Sequence, residues 1–200
     1  MEHYFSEHPK SSFVKERFEV KLLGEKVIIN SGSGIFSLKE LDFGTGLLIE
    51  NCKIPKKDSE VLDLGCGYGV VGMILKKHNP EVIMTMTDIN DRAVKLSRQN
   101  CEENDIICTV IKSDIFSNPD IHGKRFDVIL TNPPFSAGKK ICTDIIKQSN
   151  EHLNKEGLLQ LVAPHNKGGE SLKKIMLEVF GNVGELCKKR GYRVYISIKK

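Results

Sequence analysis

From residue 60 onward the chain alternates short apolar runs with amphipathic stretches, and this pattern limits its possible folds more than any other feature. Runs at 60–64, 82–87, 107–112, 126–131 and 158–163 read as strands, while segments near 69–78, 90–103, 139–153 and 168–180 read as helices. Strands that are apolar on both faces belong inside a parallel sheet covered by helices. Their regular alternation with helices predicts a doubly wound, Rossmann-like α/β fold. Two further runs, 183–189 and 192–199, flank Arg190-Gly191. That turn is too short for a crossover, so it predicts a hairpin that sets an antiparallel C-terminal strand into a mostly parallel, seven-stranded sheet. Upstream, Arg17 to Asn30 reads as a small N-terminal β-hairpin around Leu23-Gly24-Glu25, followed by the bend Ser31-Gly32-Ser33-Gly34 and a helix near 47–52. The expected division is an N-terminal hairpin-and-helix appendage over 1–55 and the α/β domain over 56–200.

Parallel sheets bind ligands beyond the carboxyl ends of their strands. Two loops open there: Asp63-Leu64-Gly65-Cys66-Gly67-Tyr68-Gly69 and Asn132-Pro133-Pro134-Phe135. Gly65, Gly67 and Gly69 accept positive φ and let main-chain N–H groups approach a ligand at a helix N-terminus. Gly67, Gly69 and Gly72 also have the spacing of dinucleotide sites, so the glycines alone do not select a cofactor. Asp88 ends the second strand, where a carboxylate accepts hydrogen bonds from a ribose diol; capping of the next helix is its plainer role, one open to Asn90 as well. Asp114 ends the third strand and can accept from an adenine amino group. An NAD-dependent oxidoreductase would employ the glycines and Asp88, yet it leaves the second loop without a task.

That loop suits a planar amino nitrogen, whose lone pair is delocalised and poorly nucleophilic. The Asn132 side-chain carbonyl and the Pro133 backbone carbonyl can accept its two hydrogens and stabilise the positive charge that grows as it attacks an electrophile. Pro133 and Pro134 fix φ and hold those acceptors, and Phe135 offers a face for stacking. Cys66 and Cys142 read as small buried residues rather than nucleophiles.

The order of DxGxG, an acid after the second strand, Asp114 and NPPF resembles that of the class I S-adenosylmethionine-dependent methyltransferases. The resemblance implies S-adenosyl-L-methionine as cofactor, with Asp63, Gly65 and Gly67 at its methionine end and Gly69 in the same loop. Asp88 and Ile89 would meet the ribose, and Asp114 and Ile115 the adenine. More closely, His3 to Pro9, Gly34-Ile35-Phe36-Ser37, Leu41-Asp42-Phe43-Gly44-Thr45, DLGCGYGVVG and NPPF look like the small methyltransferase domain of the C-type ribosomal RNA guanine-N2 methyltransferases and their short archaeal relatives. This implies that Phe36 and Thr45 shape the cofactor pocket and that the acceptor is guanine N2 of ribosomal RNA, extruded from its stack. Adenine N6, tRNA guanine and a protein glutamine amide share the tetrapeptide and remain alternatives. Longer bacterial members carry a second, degenerate domain ahead of the catalytic one, and the resemblance does not reach it.

Composition narrows the setting. No apolar run approaches a membrane span, and Met1-Glu2-His3-Tyr4 has no signal-peptide character, so a cytoplasmic protein without membrane partners is expected. Six cysteines without a CxxC pair predict free thiols and no metal site. A net charge of +4 falls short of a dedicated nucleic-acid module. Basic residues nonetheless group at Lys10, Lys15, Arg17 and Lys21, at Lys139-Lys140, and at Lys188-Lys189-Arg190 with Arg193, where phosphates of an RNA partner could bind. Sequence leaves monomer and homodimer equally open, and makes His165 at most a rim contact.

Overall fold

The computed structural model describes residues 15–35, 37–54, 56–135 and 138–200. Strands β1 (Lys15–Leu22) and β2 (Glu25–Gly32) pair antiparallel around Leu23-Gly24, and helix α1 (Phe43–Asn51) follows. The alternating region then runs β3 (Glu60–Leu64), α2 (Val70–His78), β4 (Ile83–Asp88), α3 (Asp91–Glu103), β5 (Thr109–Lys112), α4 (Pro119–His122) and β6 (Phe126–Thr131). It closes with α5 (Lys139–His152), β7 (Leu153–Pro164), a 3-10 turn at His165–Lys167, α6 (Gly169–Phe180), β8 (Gly184–Lys189) and β9 (Tyr192–Ile198).

The seven strands lie in the order β5-β4-β3-β6-β7-β9-β8. Pairing is parallel from β5 through β7, and β9 alone runs against both of its neighbours. The chain winds outward from β3 through β4 to β5, then returns to β6 on the other side of β3. Strand order therefore reverses between β3 and β6, where crossovers leave to opposite sides and a cleft opens.

Burial follows the expected logic. Val61, Leu62, Val128, Ile129 and Leu130 of the central strands are wholly buried, as strands covered on both faces must be. Apolar residues form two clusters, and one of them joins Val20, Val27 and Ile29 of the hairpin to Val61, Ile74 and Leu75 of the α/β layers. Two asparagines on α3 hold the hairpin in place. Asn104 donates to Ile28 O at 2.8 Å and accepts from Ile28 N–H at 2.8 Å, while Asn100 does the same with Asn30 at 3.0 and 2.8 Å. Spaced four apart, the two amides face one side of the helix and meet alternate residues of β2 as a partner strand would. Asn100 also donates to Tyr68 O at 2.9 Å, which ties the hairpin to the glycine loop.

Three elements differ from expectation, the first being α1, which starts at Phe43, four residues before the expected 47. α5 ends at His152 and β7 starts at Leu153, five residues earlier than the apolar run suggests, with Glu156 at a φ of 64° in an irregular opening stretch. The short α4 has no periodicity to announce it, being one helical turn; its local signs are the Asn118 cap, which accepts from Asp120 N–H, and Pro119 at the first helical position. Among the described residues no helix is long and apolar enough to cross a membrane, and no group of three or more His, Cys, Asp or Glu is arranged to hold a metal.

Candidate active site

A cavity of about 420 Å³ opens where the carboxyl ends of β3, β4, β5 and β6 converge. On one side the glycine loop is fixed by its own backbone. Gly65 and Cys66 N–H both donate to Thr87 O, at 2.8 and 2.9 Å, and Gly67 N–H donates to Asp88 Oδ2 at 2.8 Å. Gly65 and Gly67 line the cavity with φ of 77° and 58°, a region that side chains disfavour, and a Cβ on Gly65 would enter open space. Gly69 does not line the cavity. It caps α2 instead, and a Cβ there would lie 3.1 Å from Ser97 Oγ. Gly72 is a packing glycine as well: a Cβ would lie 2.3 Å from Met86 Sδ.

Asp63, Asp88, Ile89, Asp114 and Ile115 all line the cavity, whereas Phe36 lies outside the described residues. Asp88 is not the cap of α3: Asn90 takes that place, accepting from Arg92 and Ala93 N–H, and Asp88 Oδ1 accepts from Asn90 N–H at 2.9 Å. Asp88 thus braces the glycine loop from β4 while keeping lone pairs for a ligand. Asp63 is 2% exposed and accepts from Gly72 N–H at 3.1 Å. Burial, with a smaller push from the Asp88 charge, raises its carboxyl to about 7, and burial raises Asp88 to about 6. Two partly neutralised acids beside one void favour a ligand that carries positive charge. Thr131 also borders the cavity, and its buried hydroxyl has no hydrogen-bond partner among the described residues. Glycine backbone, raised acids and an unpartnered hydroxyl fit the methionine end of adenosylmethionine; Ile115, Ile141 and Ile145 supply an apolar slot suited to a planar base.

Asn132, Pro133, Pro134 and Phe135 line the same cavity from β6. The Asn132 amide is held in one sense by residues that sequence reasoning does not connect to it. Its Nδ2 donates to Thr45 Oγ1 at 2.9 Å and to Asp42 Oδ2 at 3.2 Å. Asp42 is the N-cap of α1, and its Oδ2 also accepts from Thr45 N–H at 2.8 Å and Thr45 Oγ1 at 3.1 Å. Because a carboxylate only accepts, the polarity of the network is determined: Thr45 spends its proton on Asp42, the Asn132 NH₂ points to both, and the Asn132 carbonyl is left for an incoming donor. Thr45 lines the cavity, and its bonds run to Asp42 and to the Asn132 amide. The local signal for Asp42 is an Asp-x-x-Thr cap pattern. Tyr192 and Pro164, from the reversed β9 and the end of β7, complete the wall on this side.

A switch-point cleft with a glycine loop on β3, an acid on β4 and an antiparallel β9 beside β7 is the architecture of the Rossmann-like methyltransferases. The chain belongs to the methyltransferase small domain family, whose model matches residues 26–196. Among its relatives, the uncharacterized protein YbxB of Bacillus subtilis is 40% identical over 200 residues, covering 100% of this chain and 98% of that one. Ribosomal RNA small subunit methyltransferase C of Haemophilus influenzae is 44% identical over 143 residues, 70% of this chain and 42% of the relative. The 16S rRNA N2-guanine methyltransferase RsmC of T. thermophilus, solved in complex with AdoMet and guanosine, superimposes with a TM-score of 0.81 at 25% identity, covering 96% of this chain and 52% of that one. The chain therefore spans about half the length of the methyltransferase C relatives or less.

Proposed function

We propose that this protein uses S-adenosyl-L-methionine to methylate an exocyclic amino nitrogen, namely guanine N2 of ribosomal RNA. The observation that carries the reading is the fixed orientation of Asn132, whose amide hydrogens are taken by Thr45 and Asp42 and whose carbonyl is free to accept. Adenosylmethionine supplies a methyl group activated by positively charged sulfur. Asp63, Gly65 and Gly67 would hold its methionine end, Asp88 and Ile89 its ribose, and Asp114 and Ile115 its adenine edge. On the acceptor side, the Asn132 and Pro133 carbonyls take the two amino hydrogens and stabilise the charge that develops on nitrogen. Phe135, with Tyr192 and Pro164 nearby, confines the base plane. Guanine in ribosomal RNA is preferred because the C-type relatives act on ribosomal RNA and one of them is bound to guanosine. Adenine N6, tRNA guanine and a glutamine amide would use the same acceptors.

Nucleoside mass spectrometry of RNA from cells with and without the gene tests the acceptor, followed by in-vitro methylation of the undermodified RNA. N2-methylguanosine should be lost and restored at one position. Identical RNA profiles in both strains, together with a methylated protein in the assay, would overturn the assignment. Asn132→Ala should abolish transfer with cofactor affinity nearly unchanged, whereas Asp88→Ala should weaken cofactor binding in a calorimetric titration.

A further inference from the structure

The geometry points to a docking surface for the RNA phosphodiester backbone on the cavity rim, built by Lys139 and Lys140, Lys167, and Lys188, Lys189 and Arg190. Each group sits next to a residue that lines the cavity. Lys139 and Lys140 open α5 immediately before Ile141; Lys167 lies in the turn that follows Pro164; Lys188 to Arg190 lead into Tyr192. The main chain binds two of these segments together, since His165 N–H donates to Gly191 O at 2.8 Å.

All six side chains are exposed, and none makes an ion pair with a described residue. Their neighbours behave differently. Arg193 and Lys173 share Glu185, and Lys174 pairs with Glu170, so these two acids are already engaged by other cations. The six rim cations thus meet no carboxylate at ion-pair distance among the described residues. Arg190 is also positioned in advance: its guanidinium lies 5.2 Å from the centroid of Phe43, whose ring meets Tyr192 edge-on at 5.5 Å. A planar guanidinium held against a ring loses less freedom on binding, and its fork matches two phosphate oxygens. Phosphate contacts of this kind carry no sequence information but fix register, which a base entering the cavity requires.

This role for the rim rests on the RNA reading of the site. Its test uses the full chain and measures affinity for the undermodified RNA over a salt series. Lys139→Glu/Lys140→Glu and Lys188→Glu/Lys189→Glu should each weaken binding by roughly tenfold or more. Each should also flatten the slope of log affinity against log salt by roughly 0.7–0.9 for every phosphate that the protein no longer neutralises. Adenosylmethionine affinity, read by calorimetry, should not change, which shows that the variants are folded. Lys56→Glu/Lys155→Glu, an equal charge change at the amino-terminal side of the parallel strands, should leave the RNA slope as in the wild type. If the wild type methylates RNA but both rim pairs match its affinity and slope, or the control falls as far as they do, the rim assignment is overturned while the function stands. If the wild type neither binds nor methylates RNA and methylates a protein instead, both fall.

Discussion

At Asp42 one carboxylate oxygen accepts from the Thr45 backbone, the Thr45 hydroxyl and the Asn132 amide, so removing its charge acts on the acceptor side of the cavity and not on the glycine loop. In Asp42→Asn the new amide can present a donor to Asn132, which would then turn its carbonyl inward. The expected result is a fall in kcat of roughly tenfold to a hundredfold with cofactor affinity retained, measured by single-turnover methylation beside calorimetry. Asn132 to Phe135 are legible in the sequence because their chemistry is local to four residues. Asp42 is not, since its partner lies ninety positions away and only the fold brings them together. The buried Asp63 makes stability depend on pH. Its carboxyl is raised to about 7 in the folded protein, against about 3.9 in an unfolded chain, so the native state holds the extra proton. Apoprotein stability from this group is therefore present at low pH and lost as pH climbs from about 4 to about 7. Between about pH 5 and about pH 8 the ligand-free wild type should lose several degrees more in Tm than Asp63→Asn, at roughly 2–4 °C per kcal/mol, while affinity for the positively charged cofactor should rise more steeply over the same interval in the wild type than in Asp63→Asn, where Asp88 alone of the two acids still titrates.

Elements whose signal is periodic are legible, and those set by single contacts are not. The strands at 60–64 and 126–131 match β3 and β6, because burial on both faces writes an unbroken apolar run. The opening of β7 escapes such a reading because Asn154, Lys155 and Glu156 after Leu153 are polar and its backbone irregular; pairing of Leu153 with Phe126, not residue type, makes it a strand. Gly72 also changes meaning at this scale. Sequence allows it a place in a dinucleotide fingerprint, whereas the structure uses it to seat α2 against β4. Gly72→Ala should cost about 1–3 kcal/mol by overpacking, seen as a lower denaturant midpoint at unchanged m. The asparagine pair on α3 invites a similar test. Asn104→Ala deprives Ile28 of both backbone partners on that side and should cost about 1–3 kcal/mol. Loss of amide protection should be confined to the hairpin, as hydrogen exchange would show.

For the molecule as a whole, alternation announces the fold class, but the order of the strands cannot be read from it, since their pairing depends on contacts between distant segments. Reversal of β9 is legible from the two-residue turn at Arg190-Gly191. The hairpin's dependence on α3 is not, and neither is the shared core that joins Val27 to Leu75. The asparagine amides along β2 have a further consequence for how this chain behaves in a crowded solution. An open strand edge is a template on which another chain can add, and here three such edges are blunted by different means. Asn100 and Asn104 occupy the outer edge of β2, the Arg98 guanidinium donates to Val110 O at 2.8 Å on the short β5, and a register shift between Glu185 and Cys187 with lysines beyond it breaks up β8. Concentrated samples of the wild type should resist strand-addition oligomers on mild heating, and Asn100→Ala/Asn104→Ala should be the first variant to scatter light.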